Sequence, residues 1–192
     1  KSNMNKLNHI AFIMDGNGRW GKKRKKGRNF GHLKGVETVK KIVSYCTKIK
    51  IPIVTFYVFS SENWRRPKAE INFLFKLIQK YFSAEIDNVI SKDIKINILG
   101  ELKKLPKQLR NILNKTSSLT KKNKQIIVNL AINYGSKNEI LKSIKKSKQL
   151  NIKTVSNNLF TGKLPDPDIL IRTGGQQRLS NFMLWQLAYT EL

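Results

Sequence analysis

The stretch Ile53-Val54-Thr55-Phe56-Tyr57-Val58-Phe59 decides the fold. It follows the helix-breaking Pro52 and runs into the polar segment Ser60–Pro67. A near-continuous apolar and β-branched run of this length reads as a strand buried on both faces, as in a parallel sheet. Working outward, His9–Met14, Ile94–Leu99, Ile126–Ile132 and Asp168–Arg172 read as further strands. Between them, Leu33, Val36, Val39, Ile42, Val43, Cys46 and Ile49 recur at helical spacing and predict a helix over Gly31–Lys50, after a polar Gly/Arg/Lys loop over Asp15–Phe30. Lys68–Ile90, Leu105–Thr120 and Ser136–Ser147 read as helices too, and Asn181–Tyr189 as a last one. Strands alternating with helices give an α/β fold: a single domain over residues 1–192, with a central, mainly parallel sheet covered by helices on both faces. Such sheets bind ligands at the carboxyl ends of their strands.

Composition narrows the function. The 192 residues carry a formal charge of +26 and a pI near 10.3, and 40% hydrophobic residues suffice for a full core. The lone cysteine, Cys46, excludes a disulfide framework and fits a reducing compartment. No apolar run approaches the roughly 20 residues that span a bilayer, and Lys1–Leu7 lacks the apolar core of a signal peptide. The expected location is therefore cytoplasmic, or peripheral at the endoplasmic reticulum or another organelle membrane. Thirty of the basic residues are Lys, spread along the whole chain, a pattern of AT-rich coding more than of a shaped surface. The eight Arg are more selective. All but Arg110 fall in three short polar segments, each following an expected strand. Arg offers a flat bidentate fork for phosphate, which Lys does not.

The first segment reads Asp15-Gly16-Asn17-Gly18-Arg19-Trp20. Two glycines around an Asn, directly after a strand, let successive backbone N–H groups turn toward one anion. It is not a Walker loop, which ends Gly-Lys-Ser/Thr, nor the dinucleotide Gly-x-Gly-x-x-Gly. Eight basic residues and no acid lie between Gly16 and Val36, so Asp15 stands alone among cations. It reads either as a Mg²⁺ ligand shared with phosphate or as an Asx-turn closing the strand. His32, near Arg28, reads either as an anion donor or as a structural residue at a helix start. The second segment, Ser60-Ser61-Glu62-Asn63-Trp64-Arg65-Arg66-Pro67, combines hydroxyls, an amide, an indole and two guanidiniums. A capping turn before the helix explains Pro67 but does not require Trp64 or the paired Arg. The third, Arg172-Thr173-Gly174-Gly175-Gln176-Gln177-Arg178-Leu179-Ser180, again joins glycines, Arg and a hydroxyl.

These motifs, with His9–Trp20, Phe59–Trp64, Asn133-Tyr134-Gly135, Ile171–Gly175, Arg178–Phe182 and Leu184-Trp185-Gln186, resemble those of the cis-prenyltransferases, the undecaprenyl and dehydrodolichyl diphosphate synthases. The resemblance runs in order over nearly the whole chain. It implies a homodimeric, Mg²⁺-dependent enzyme that adds isopentenyl diphosphate in cis to an allylic diphosphate, typically farnesyl diphosphate. The long-chain cis-polyprenyl product would feed the dolichol or undecaprenol carrier-lipid pathway. Asp15 would be the catalytic, Mg²⁺-linked carboxylate and Glu191 the second metal carboxylate. Gly16, Asn17, Gly18 and Arg19, with Arg28 and His32, would hold the allylic diphosphate, and Trp20 would line that site. Ser60, Ser61 and Glu62 would border the reacting carbons with Asn63, the family's named proton acceptor; Trp64 and Arg66 would face substrate. Arg172, Arg178, Leu179 and Ser180 would bind isopentenyl diphosphate. Val58, Leu74, Leu77 and Ile78 would line a tunnel for the growing chain, though ordinary core satisfies the same pattern.

Two features depart from the family. Gln176 and Gln177 replace residues that usually include a Glu, and the family's closing strands and Arg-x-Gly tail are expected beyond Leu192. A neutral amide is also a poor base, which favours an orienting role for Asn63 with diphosphate as the proton acceptor. Among rivals, trans-type synthases need Asp-Asp-x-x-Asp helices, and none is present. A non-catalytic partner subunit sits badly with Asp15, Asn63 and Arg66. A nucleic-acid-binding protein would spread its basic residues along a groove with stacking aromatics. Here Arg and Trp gather in three loops, so no specific nucleic-acid partner is expected. The remaining contact expected is a peripheral one with membranes, where an apolar product would leave.

Overall fold

The computed structural model describes residues 7–192; most of the amino-terminal segment read above for a signal core lies outside the described residues. Five strands, β1 (His9–Ile13), β2 (Ile53–Ser60), β3 (Ile94–Leu99), β4 (Ile126–Tyr134) and β5 (Ile169–Arg172), form one sheet in the order β3-β4-β2-β1-β5. Every neighbouring pair is parallel. Between the strands lie α1 (Asn17–Lys23), α2 (Gly27–Lys48), α3 (Lys68–Ser91), α4 (Lys107–Leu119), α5 (Ser136–Lys146) and α6 (Ile152–Asn158). Residues Ile53–Tyr57 and Phe59 of β2 are buried, as a central parallel strand requires. One face packs Phe12, Val54, Phe56, Val128 and Leu130 against α2, α3 and α4, through Cys46, Phe75, Phe82, Leu109 and Leu113. The other packs Ala11, Ile13, Tyr57, Ala131 and Leu170 against Phe182, Met183 and Leu187. Residues on this second side tie α5 and α6 to that segment: Leu184 N–H donates to Ser136, the Trp185 indole to Ser156, and Gln186 to Glu139.

Two expectations from the sequence are corrected, and one helix has no counterpart among them. The polar stretch Asp15–Phe30 is not a loop; it holds α1 and the first turn of α2. Glycine serves helix contact within it and just after it: a Cβ on Gly21 would lie 2.2 Å from the Gly27 carbonyl oxygen, and one on Gly31 1.8 Å from that of Asn17. The segment Asn181–Tyr189 forms turns instead of a helix. Positive φ at Ser180, Asn181 and Met183 breaks helical geometry there, a conformation costly for residues other than Gly. Finally, α6 carries no apolar stripe long enough to read; Asn151 and Thr154 cap it reciprocally.

His9 pins the amino edge of the sheet. Its imidazole is fully buried, with Nδ1 2.7 Å from the Pro165 carbonyl and Nε2 2.7 Å from the Thr55 hydroxyl. A carbonyl only accepts, so Nδ1 carries the proton and Nε2 accepts from Thr55. Asp168 accepts from the Asn8 and His9 amides, which explains its place at the entry to β5. Burial lowers the His9 pKa below 6.5, opposed by the Pro165 bond and the Asp168 charge. The unfolded chain therefore takes up this proton first as pH falls. Stability from His9 is complete above about pH 6.5 and is lost as pH drops through that value. Denaturant midpoints should be lower at pH 5.5 than at pH 7.5, and the His9 ring signals in NMR should remain those of the neutral ring below pH 6.5. A His9 ring that charges with an ordinary pKa contradicts this account.

Candidate active site

The carboxyl ends of β1, β2 and β5 carry the three Arg-bearing segments to one edge of the sheet. The register sets Ile13 opposite Arg172, so Asp15 and Thr173 meet just beyond the strands. The Thr173 hydroxyl donates to the Asp15 carbonyl at 2.7 Å, and Arg172 Nη2 donates to Asp15 Oδ2 at 3.0 Å. Arg19 lies 3.4 Å from Asp15 Oδ1 and also donates to the Gly174 carbonyl. Partial burial would raise the Asp15 carboxyl, but the Arg172 bond, the Gly16 amide and the Arg172 and Arg19 charges outweigh it and hold the group below its ordinary value. Asp15 is thus an anion, and not an Asx-turn residue: its Oδ1 accepts from the adjacent Gly16 amide at 2.6 Å.

Gly16 adopts φ +90°, the left-handed turn that starts α1, with no side chain capping the helix. With the Gly16 amide used by Asp15, the amides of Asn17, Gly18 and Arg19 remain as first-turn donors without an intrahelical partner. Arg28 closes over this turn; its guanidinium would lie 2.8 Å from a Cβ on Gly18. A cavity of about 740 Å³ opens here and continues between α2 and α3. Its polar mouth takes in Asp15, Gly16, Asn17, Gly18, Arg19, Arg28, His32, Ser60, Glu62, Asn63, Arg66, Arg172, Arg178 and Ser180. Its apolar wall takes in Val58, Leu74, Leu77 and Ile78, with Val36, Val39, Leu130 and Ile132. Val58, Leu74 and Ile78 are only partly buried and also pack on the core, so tunnel and core are one surface.

Five expected site residues lie elsewhere. Trp20 stacks on Phe30 with Arg24 over its outer face, so it does not line the cavity. Trp64 turns its ring to Phe59 and Phe75, and its indole N–H donates to Asn133 at 2.8 Å. Ser61 faces a small second cavity beside Gly135. Leu179 packs on the Phe182 side of the core. Glu191 bridges Ile169 at the start of β5, whereas Asp15 meets Arg172 at its end. At about 3.3 Å per residue those points are roughly 10 Å apart, so one chain does not assemble both carboxylates.

Within the second loop, Asn63 Oδ1 accepts the Ser60 amide at 3.1 Å, so the capping turn is real and coexists with the site. Glu62 accepts from Asn181 at 2.9 Å; partial burial would raise its carboxyl, but the bonds from Asn181 and the loop hydroxyls hold it below its ordinary value. On the β5 side, Arg172 donates to the Ser180 hydroxyl at 2.8 Å and to the Arg178 carbonyl, while its Nε is buried without a partner. The sequence reading missed Thr173, Asn181 and Glu70. Glu70 carries a signal in hindsight: it is an acid one helical turn after Arg66, in a chain with only 12 acids.

Residues 13–192 match the protein family described as "Putative undecaprenyl diphosphate synthase". The chain belongs to this family. It is 45% identical to an isoprenyl transferase of Clostridium tetani over 95% of this chain and 76% of that protein. It is 43% identical to one of Helicobacter pylori over 98% of this chain and 85% of that protein. The fold matches lavandulyl diphosphate synthase of Lavandula x intermedia, solved with dimethylallyl diphosphate, at a TM-score of 0.91, 31% identity, and 96% and 85% coverage of the two chains. It matches a probable undecaprenyl diphosphate synthase of Campylobacter jejuni at 0.82, 33% identity, and 98% and 85% coverage. The chain is therefore a prenyltransferase, an enzyme of prenyl chain elongation, with an undecaprenyl diphosphate synthase fold. Among the described residues no helix is long and apolar enough to cross a membrane.

Proposed function

We propose that this prenyltransferase condenses isopentenyl diphosphate onto farnesyl diphosphate in cis, making a long-chain polyprenyl diphosphate for the dolichol or undecaprenol carrier lipids. One observation carries the reading: a single cavity joins an Arg- and amide-lined mouth to an apolar wall between α2 and α3. Such a cavity suits a ligand with an anionic head and a hydrocarbon tail.

The free amides of Asn17, Gly18 and Arg19, with Arg28, His32 and Arg66, would seat the allylic diphosphate, and its chain would lie along Val58, Leu74, Leu77 and Ile78. Arg172, Arg178 and Ser180 would hold isopentenyl diphosphate on the β5 side. The allylic C–O bond breaks with its electron pair on the diphosphate, and the isopentenyl double bond attacks the allylic carbon. The proton then lost passes to the released diphosphate. Asn63 orients the loop, since its oxygen is already used by the Ser60 amide. Fixed donors aimed at the leaving group stabilise charge where it develops.

Asp15 fits a Mg²⁺ site of the kind built from one carboxylate, substrate phosphate and water, because its carboxylate is ionised at the cavity mouth. Among the described residues no three His, Cys, Asp or Glu gather into a metal site by themselves, so phosphate oxygens would complete the set. When bound, the cation supplies Lewis-acid stabilisation of the leaving diphosphate. The proposal includes a homodimer, which would let a partner's Glu191 serve where this chain's own does not reach. Product release at a lipid surface would be helped by the cationic exterior.

Incubating the protein with farnesyl diphosphate, labelled isopentenyl diphosphate and Mg²⁺ should give products lengthened in five-carbon steps. No elongation, with or without a candidate partner subunit, contradicts the proposal. Asp15→Ala separates two roles. If Asp15 only neutralised Arg19 and Arg172, its removal would tighten diphosphate binding. As a metal ligand its loss should leave farnesyl diphosphate affinity roughly intact and lower kcat on the order of 10³-fold, the scale of a lost metal contact. A variant that keeps more than about a tenth of wild-type kcat returns Asp15 to a structural role.

A further inference from the structure

Glu70 sits in the first turn of α3, buried to 9% exposure, and binds two guanidiniums and an imidazole at once. Its Oε2 accepts from Arg28 Nε at 3.0 Å. Its Oε1 accepts from Arg28 Nη2 at 2.9 Å, His32 Nε2 at 3.1 Å and Arg66 Nη1 at 3.4 Å. Arg28 and His32 come from α2 and Arg66 from the turn before α3, and all three line the cavity mouth. Glu70 itself does not line the cavity.

We propose that Glu70 is a positioning residue, whose buried carboxylate holds Arg28, His32 and Arg66 in the arrangement that receives the allylic diphosphate. The proposal rests on the substrate reading given above. Like charges this close repel, and without an anion between them the Arg28 and Arg66 guanidiniums would turn apart into solvent, while the His32 ring would lose the acceptor that holds it. The hydrogen-bond geometry is directional as well. Arg28 has five N–H donors, and Glu70 takes Nε and one hydrogen of Nη2. The opposite edge, Nη1 with the second Nη2 hydrogen, stays available as a fork for phosphate. Glu70 fixes that edge where Arg28 packs over Gly18, in the turn whose amides lack partners. For His32, the bond through Nε2 to the same carboxylate fixes the orientation of the ring at the cavity mouth. A carboxylate that did nothing but balance charge would not need four bonds of fixed direction.

The test compares diphosphates at the two ends of the cavity mouth. In Glu70→Gln the amide keeps the size of the side chain but opposes its own N–H donors to an Arg or His donor. Farnesyl diphosphate and inorganic pyrophosphate affinity, and kcat with KM for each substrate, are measured on the wild type and the variant. Glu70→Gln should weaken farnesyl diphosphate binding and raise its KM about tenfold, because rotamer-rich side chains must then be ordered on binding. The KM for isopentenyl diphosphate should stay within about twofold, because Arg172 and Arg178 share no hydrogen-bond partner with Glu70. A role in folding alone would lower thermal stability without splitting the two KM values. If Glu70→Gln fails to fold, Glu70→Asp, which keeps the charge with shorter reach, reads the same split with a smaller loss. Unchanged or tighter farnesyl diphosphate binding, or equal loss for both substrates, overturns the proposal. Wild-type protein that binds neither diphosphate would instead overturn the substrate reading itself.

Discussion

The parallel pairing of β1 with β5 is the constraint on which the site depends. It sets Ile13 beside Arg172, and so joins a carboxylate and a guanidinium that lie 157 positions apart in sequence. From that junction, Thr173 binds the Asp15 backbone through its hydroxyl and Arg19 reaches back to Gly174. The same pairing lets β5 deliver Arg172 and Ser180 to the side of the cavity facing Asp15. A slip of one residue would exchange the faces of β5 and turn Arg172 away from Asp15. Local turn chemistry alone would not place these groups; the sheet does.

Charge is the second organising factor. A chain of net +26 gathers cations around the few carboxylates it has, and two of those, Asp15 and Glu70, stand among the site's guanidiniums. Burial works against both carboxyls, and the cations outweigh it at both. Helices α2 and α3 are tied by ionic bonds at two levels: Glu70 with Arg28 and His32, and Lys40 with Glu85 at 2.7 Å. The apolar part of the cavity lies between these helices, near Leu74, Leu77, Ile78 and Tyr81. Separation of the two helices by a cavity, with polar ties at the ends, gives a hydrocarbon chain room without exposing the core.

Much of this was legible in the sequence, for identifiable reasons. The run Ile53–Phe59 has a burial pattern that only a central parallel strand satisfies, and Ile94–Leu99 was placed with its observed bounds. The cation- and glycine-rich segments were placed at the right ends of their strands, because each directly follows its strand. What failed depends on tertiary contact. Gly21 has the look of loop punctuation but is a point of helix contact. Positive φ at Ser180, Asn181 and Met183 cannot be seen in side-chain periodicity. Nor does the motif show that the Trp20 ring stacks on Phe30 and the Trp64 indole bonds Asn133. For Glu70 the sequence shows only its spacing from Arg66; nothing in it marks Arg28 and His32, 42 and 38 positions away, as the other partners.

The central claim is that one cavity holds the anionic head and the hydrocarbon tail of the same ligand. A crystal structure with Mg²⁺ and a non-ionisable thio-analogue of farnesyl diphosphate tests it most directly. The account predicts the diphosphate over the amides of Asn17, Gly18 and Arg19, within hydrogen-bond reach of Arg28, with the prenyl chain between α2 and α3 against Leu74 and Ile78. A diphosphate seated away from that turn, or a prenyl chain lying outside the space between those helices, would contradict it.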